Sequence, residues 1–300
     1  MKKVSLTIGI PVYNEEKNIK RLLHQLAQQN VTIEKTIVVN DGSTDKTINK
    51  INELDKSIKE KLNLKVINLD KNMGKAYALN IIFKQAQSKY LVLLDSDIWL
   101  PNSNILEHLL KCMDLKDNIG LVCGWYEIKI LNPFDIVGRA YRFSSIFLKR
   151  IAQDLNNIYG ATGAIMLLSE YVYTRLILPE KITRVDAYIY LYTLSLGKKF
   201  IFCPEAKVII SLYDRESLKR FIHRQARCRS IPKPHLEAFP HLAQKEFREP
   251  ELKVILKSFL CCFSKYPIDG IIWIILKIIS YSYRKFRKIE VHHKWRTIEK

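Results

Sequence analysis

Along the first hundred residues, short apolar runs alternate with longer stretches in which apolar positions recur every three or four residues. Residues 6–10 form the first run. Residues 15–29 then carry Ile19, Leu22, Leu23 and Leu26 at helical spacing, with Asn14 placed to cap the helix. The same pair of patterns repeats as a strand at 36–39 and a charged helix with Ile48, Ile51 and Ile58. It repeats again as a strand at 64–69 and a helix opened by Gly74, whose apolar face is Leu79, Ile82, Phe83 and Ala86. The series ends on Tyr90-Leu91-Val92-Leu93-Leu94, a run with so little polar character that it reads as a strand buried on both faces. Strands and helices alternating at this spacing predict a parallel, Rossmann-like sheet.

Each of these strands is followed by polar residues. After the first stands Pro11-Val12-Tyr13-Asn14-Glu15-Glu16, and after the second Asn40-Asp41-Gly42-Ser43-Thr44-Asp45. After the third stands Asn72-Met73-Gly74-Lys75, and after the fourth Asp95-Ser96-Asp97. Each fragment has an ordinary structural use: Asn14, Thr44 or Asp45 as helix caps, Asp41-Gly42 as a turn, Gly74 as relief of backbone crowding, Lys75 as a solvated helix-start residue. Their recurrence at four successive carboxyl ends, where α/β sheets hold their ligands, points to one shared site. Two carboxylates two residues apart can present oxygens to a divalent cation that carries a diphosphate.

The second half is less regular. A helix and turn at 101–120 lead to a strand at 121–124. Residues 132–157 interleave Phe134, Tyr141, Phe143 and Phe147 with Arg139, Arg142, Lys149 and Arg150. Such a helix lies on a membrane surface, contacts nucleic acid, or packs across the sheet with a solvated basic face. Tyr159-Gly160-Ala161-Thr162-Gly163-Ala164 is a small-residue loop before a strand at 165–168, and Thr183-Arg184-Val185-Asp186-Ala187 opens an apolar helix that stops at Gly197. Strands at 200–203 and 207–212 precede a basic cluster of Arg220, Arg224, Arg227 and Arg229. Beyond Pro232, Pro234 and Pro240, residues 254–283 are strongly apolar but interrupted by Lys257, Lys265, Asp269 and Lys277. No uncharged stretch reaches the roughly 18–20 residues that span a bilayer. Two readings stand: an amphipathic helix pair in the membrane interface, followed by Arg284, Lys285, Arg287 and Lys288, or a helical hairpin covering the core.

Composition narrows the partners. With 300 residues, 48% of them hydrophobic, the chain buries one large domain or a domain with an appendage and is not a disordered protein. An excess of 49 Lys+Arg over 30 Asp+Glu gives a net charge of +19, which favours nucleic acid, acidic lipid or phosphorylated substrates. The six cysteines, Cys112, Cys123, Cys203, Cys228, Cys261 and Cys262, show no C-x-x-C spacing and read as reduced thiols suited to the cytoplasm. The start, Met1-Lys2-Lys3 before an apolar run, superficially resembles a signal peptide. Pro11 interrupts that run and no small-residue cleavage site follows, so a first strand is the better reading.

The four strand-end strings, from Ile10-Pro11-Val12-Tyr13-Asn14-Glu15-Glu16 to Asp95-Ser96-Asp97, resemble in order and spacing the signatures of family 2 glycosyltransferases, over about residues 4–230. The resemblance implies a GT-A fold, an α/β Rossmann-like mixed sheet flanked by helices. It occupies residues 1–230, with a nucleotide-binding half to about residue 100 and an acceptor half beyond it. Residues 231–300 would be an apolar helical segment at the membrane interface. It also implies a nucleotide-diphosphate sugar, UDP-linked, Mg²⁺ or Mn²⁺ as cofactor, and inversion at the anomeric carbon. Carried over residue by residue, Pro11, Tyr13 and Glu15 shape the base pocket and Asp41 grips base or ribose. Asp95 faces the ribose and sugar, Asp97 holds the metal, and Lys75 steadies the phosphates. Gly160, Thr162 and Gly163 belong to an acceptor-side loop. Asp186 stands where the family places its catalytic base, with Val185 in the position often held by a second acid. Arg224-Gln225-Ala226-Arg227-Cys228 resembles the family's [Q/R]-x-x-R-W motif, so that Arg224 and Arg227 approach the diphosphate, but Cys228 replaces the usual Trp.

The expected activity is inverting transfer of a hexosyl or N-acetylhexosaminyl group to a hydroxyl of a lipid-linked saccharide or envelope glycan precursor. The enzyme would sit peripherally on the cytoplasmic face of a membrane, without nucleic acid. The rivals are a polyprenyl-phosphate glycosyltransferase, a nucleotidyltransferase on a similar sheet, a catalytically dead carbohydrate-binding relative, and a basic nucleic-acid-binding protein. The last gives no reason for acids at successive strand ends.

Overall fold

A computed structural model describes residues 5–130, 132, 134–180, 182–211, 221 and 231–286. Its centre is a sheet in the order β3-β2-β1-β4-β7-β6-β8-β5. The parallel part consists of β1 (Leu6–Val12), β2 (Lys35–Asn40), β3 (Leu64–Asn68) and β4 (Tyr90–Leu94), as the alternation predicts. Beyond β4 the sheet is mixed. β7 (Ile165–Ser169) runs antiparallel to both β4 and β6 (Ile119–Lys129), β8 (Lys199–Ser211) runs parallel to β6, and β5 (Ile98–Trp99) pairs antiparallel with β8. Because β7 is antiparallel, it starts where β4 ends. The Asp95 N–H accordingly donates to the Ala164 carbonyl at 3.1 Å, and the small-residue loop lies beside Asp95.

Alternate residues of the central strands feed two apolar layers. Leu6, Ile8, Ile10, Val92 and Leu94 face α1 (Ile19–Ala27) and α5 (Ile105–Asp114). Ile37, Val39, Leu91 and Leu93 join the layer of α4 (Lys75–Gln85) and α8 (Val185–Ser195). β4 is buried at every position, which is why its sequence lacks polar alternation. The charged helix expected after β2 is two short ones, α2 (Thr47–Asn52) and α3 (Lys56–Lys61), broken where Asp55 takes extended backbone before α3. The two strands expected at 200–203 and 207–212 are the single β8 with an irregularity between Phe202 and Lys207. There it bulges toward Gly124, whose added Cβ would lie 2.1 Å from the Ala206 carbonyl oxygen.

The long helix α6 (Ile136–Leu155), capped by Asp135 through the Gly138 N–H, packs on the sheet beyond the short α7 (Glu170–Tyr173) and α8. Two short helices, α9 (Lys233–Ala238) and α10 (Pro240–Glu246), add Phe239 and Ala243 to the α8 layer. The chain closes with α11 (Leu252–Lys265) and α12 (Pro267–Phe286), which grip α6 through Phe143, Phe147, Phe259 and Trp273. Asp269, 2% exposed at its side chain, accepts from Arg139 Nε and Arg142 Nε, each at 2.7 Å. The basic face of α6 is therefore not simply solvated: two of its arginines fasten the C-terminal helix pair. The opposite face of that pair leaves Leu252, Leu256, Leu260, Ile268, Ile271, Ile275 and Ile278 exposed. Among the described residues no helix is long and apolar enough to cross a membrane.

Candidate active site

The loops after β1 and β2 are laced together. The Asn14 N–H donates to Ser43 Oγ (2.9 Å), and Asn14 Oδ1 accepts from the Thr44 N–H (2.8 Å). The Glu15 N–H reaches Thr47 Oγ1 (2.8 Å), and the Glu16 N–H reaches Asp45 Oδ2 (3.1 Å). Asn14 is thus not the cap of α1, which starts after Asn18; it sits at φ 54° and ties two strand ends into one unit. Pro11 is buried within β1 opposite Val39, and Tyr13 is half-buried beyond it. The Glu15 carboxylate accepts from Asn18 Nδ2 (2.7 Å). Its pKa is pushed up to about 7, chiefly by burial and then by the charge of Asp97, with smaller pushes from Asp45 and Asp95 against the Asn18 bond.

Asp41 is fully buried, and its two oxygens accept from the Met73 N–H (2.7 Å) and the Gly74 N–H (2.8 Å). That clamp fixes the loop after β3. Gly74, at φ 99°, turns the chain there as few other residues could and delivers Lys75 as the first residue of α4. The Lys75 ammonium is ion-paired with Asp95 Oδ1. Burial pushes its pKa down, but Asp95, Asp186 and Asp97 together outweigh that and leave it raised, so the lysine is charged at neutral pH. It is 28% exposed, a partly buried cation among carboxylates, not a solvated helix-start residue.

The small-residue loop and α8 complete the cleft. A Cβ built on Gly163 would lie 3.5 Å from Lys75 Nζ, 3.6 Å from Asp186 Cβ and 3.9 Å from Asp95 Oδ2. Residues 75, 95, 163 and 186 therefore line one small space. Thr162 is buried, its Oγ1 accepting from the Ala164 N–H (3.3 Å), and Gly160 is pressed against the Phe202 ring. Asp186 sits in the first turn of α8, whose N-cap Arg184 has left-handed backbone at φ 55°. The Arg184 carbonyl accepts from Nε2 of His235, a fully buried imidazole, at 3.0 Å. Sequence reasoning missed His235 because a histidine in a proline-rich link carries no signal that it will support the N-cap of a helix 51 residues earlier. Arg224 and Arg227 lie outside the described residues.

The electrostatics fit a hard divalent cation. Asp95, Asp97 and Asp186 share the charge of Lys75, and the Glu15 pKa, raised chiefly by burial, is pushed further by the charges of Asp97, Asp45 and Asp95. Among the described residues these acids do not close into a three-ligand cage. Asp95 and Asp97, two residues apart beyond β4, are the carboxylates that could hold such a cation.

The chain is similar to known proteins in sequence and in fold. A 4,4'-diaponeurosporenoate glycosyltransferase of Staphylococcus aureus is 32% identical over 145 residues, 48% of this chain and 36% of the relative. The S. aureus poly(ribitol-phosphate) beta-N-acetylglucosaminyltransferase TarS is 35% identical over 105 residues, 34% of this chain and 18% of the relative. The chain spans about a third or less of the length of these curated relatives. Among solved structures, the mannosyltransferase PcManGT of Pyrobaculum calidifontis, in complex with GDP-Man and Mn²⁺, shares the fold with a TM-score of 0.58 at 16% identity, over 94% of this chain and 81% of that one. Residues 1–349 of S. aureus TarS give 0.53 at 18%, over 96% and 93%. The sequence profile of glycosyl transferase family 2 matches residues 7–176, more than half of the 300 residues, and the chain belongs to that family.

Proposed function

We propose that the protein transfers a sugar from a nucleotide-diphosphate sugar to a hydroxyl acceptor, with inversion. The observation that carries this reading is the convergence of Lys75, Asp95 and Asp186 around Gly163, at the carboxyl edge of the parallel strands. In this arrangement Pro11, Tyr13 and Glu15 border the base, Asp95 faces the ribose and sugar, and Asp41, expected to grip base or ribose, instead holds with its two oxygens the loop that aims Lys75. Asp97 would hold the divalent cation, which when bound neutralises charge on the two phosphates. Asp186 takes the proton of the acceptor hydroxyl as its oxygen attacks the anomeric carbon from the face opposite the diphosphate. The new carbon–oxygen bond forms while the bond to the phosphate oxygen breaks. The nucleoside diphosphate leaves with that electron pair, and Lys75 stabilises its charge. Because displacement is direct, no covalent intermediate is required.

The acceptor we favour is a lipid-linked saccharide or envelope glycan precursor at the cytoplasmic face of a membrane. Relatives named for poly(ribitol-phosphate) and diaponeurosporenoate transfer support it, as do the net charge of +19 and the exposed leucines and isoleucines of α11 and α12.

A panel of sugar nucleotides with Mn²⁺ or Mg²⁺, read by thermal shift, should single out one donor that raises the melting temperature only with metal. With that donor, Asp97→Ala should lose the metal-dependent shift and transfer, whereas Asp186→Asn should keep the shift and lose transfer. Undiminished turnover in Asp186→Asn would remove it as the base. Leu256→Glu with Ile275→Glu should abolish flotation with anionic vesicles; unchanged flotation would reject the membrane face.

A further inference from the structure

Away from the cleft, on the side of the sheet that carries α5, two cysteines 91 positions apart in sequence meet. Cys112 lies in the last turn of α5, and Cys203 lies where β8 starts its bulge; their sulfurs are 2.6 Å apart. Cys203 is fully buried, with its sulfur 3.6 Å from the His108 carbonyl oxygen and 3.8 Å from Glu205 Oε2. Cys112 is half-buried and Glu205 is exposed, so the pair is reached from solvent through the Cys112 side.

Two cysteines and a carboxylate also have the makings of a metal site. A tetrahedral metal at about 2.3 Å from each sulfur would hold them about 3.8 Å apart, however, well beyond the separation seen here. The spacing lies much closer to bonding distance. We propose that Cys112 and Cys203 are a redox-active pair that closes to a disulfide when the protein meets a hydroperoxide, and reopens with a dithiol reductant.

The chemistry divides between the two sulfurs. The contact with Cys203 pulls the Cys112 pKa down, more than burial and the Glu205 charge push it up. The same contact, with burial, pushes Cys203 up. Cys112, the half-buried member of the pair that solvent reaches, is the sulfur whose thiolate attacks the peroxide. Its sulfur takes one peroxide oxygen as the O–O bond breaks, giving a sulfenic acid while the other oxygen leaves as water or alcohol. The Cys203 thiol then attacks the Cys112 sulfur, the S–S bond forms, and the sulfenic hydroxyl departs as water with the Cys203 proton. The two electrons lost by the sulfurs reduce the peroxide.

The bond would tie α5, which follows Asp97 and β5, to β8. The chain segment it closes contains β6, α6, β7 and α8, including Asp186. Oxidation thus stiffens the acceptor half without touching a residue of the cleft. Nothing in the cysteine spacing along the chain announces the pair, because only the packing of α5 on β8 brings it together.

The test uses the full chain, reduced and desalted, then titrated with hydrogen peroxide. Free thiols are counted by maleimide labelling, and tryptic peptides are mapped by mass spectrometry without reduction. The expected result is joint loss of two thiols, a Cys112–Cys203 cross-linked peptide that dithiothreitol dissolves, and a rise in melting temperature on the order of 10 °C. Cys112→Ser and Cys203→Ser should each abolish the cross-link and the temperature rise. The proposal falls if peroxide takes Cys112 to a sulfinic acid without a cross-link, if bridges form only through Cys261, or if both thiols persist. It falls also if added Zn²⁺ shields both thiols from label in the wild type but not in Cys112→Ser, which would make the pair a metal site.

Discussion

A single methyl group at Gly163 should separate the working of the cleft from the stability of the fold. In Gly163→Ala the new Cβ meets Lys75 Nζ at 3.5 Å, Asp186 Cβ at 3.6 Å and Asp95 Oδ2 at 3.9 Å, all ordinary van der Waals distances. Gly163 is not among the glycines with positive φ, so alanine meets no backbone strain there. Its smaller unfolded-state entropy should raise stability by about 0.4–1 kcal/mol. The same methyl occupies the space that Lys75, Asp95 and Asp186 share, where the sugar and its phosphate must lie in the proposed reaction. Forcing an extra carbon into a filled site costs about 1–3 kcal/mol. Here the cost arises only in the complex, so kcat/KM should fall about 5- to 150-fold. Urea unfolding gives the first quantity, and initial rates with the donor found by thermal shift give the second. Gly124→Ala is the contrasting control: its Cβ would stand 2.1 Å from the Ala206 carbonyl oxygen, and it should lose stability outright. Wild-type kcat/KM in Gly163→Ala would show that nothing binds between these side chains, and a destabilised Gly163→Ala would show that the loop geometry is misjudged.

Asp269→Asn leaves Arg139 and Arg142 without their buried counter-charge and should cost about 3 kcal/mol in urea unfolding; a loss under 1 kcal/mol would mean that the aromatic cluster alone holds α11 and α12 on α6. Glu15, raised from 4.5 to about 7, is protonated more readily folded than unfolded. Its contribution is fully present below pH 4.5 and is lost as pH rises through about 7, a change of up to about 3 kcal/mol. Melting temperatures from pH 4.5 to 8 in the presence of a chelator should therefore fall more steeply in the wild type than in Glu15→Gln, and identical slopes would place Glu15 in a solvated, uncrowded setting.

Features with the length scale of one element were legible in the chain. The unbroken apolar run of β4, the helical spacing of α1 and α4, and the stop at Gly197 each report whether a side chain is buried, and the burial period is a local property. The strand-end acids could be named for the same reason: each stands immediately after a run that must be a strand. Their division of labour could not. Asp41 and Asp95 look equivalent in sequence, yet one spends both oxygens on the Met73 and Gly74 N–H groups while the other meets Lys75 in the cleft. Asn14 reads as a cap and is instead a tie to Ser43 and Thr44, because a side chain that can satisfy either neighbour is claimed by whichever loop the fold brings closer.

What only the tertiary structure decided is who buries whom. The antiparallel insertion of β7 between β4 and β6 puts Gly163 beside Asp95, and the return of α12 puts Asp269 against arginines 127 and 130 positions earlier. A hydrophobic pattern records that a face must be covered but is the same whichever element covers it. The choice among coverings is made by the packing of the whole chain.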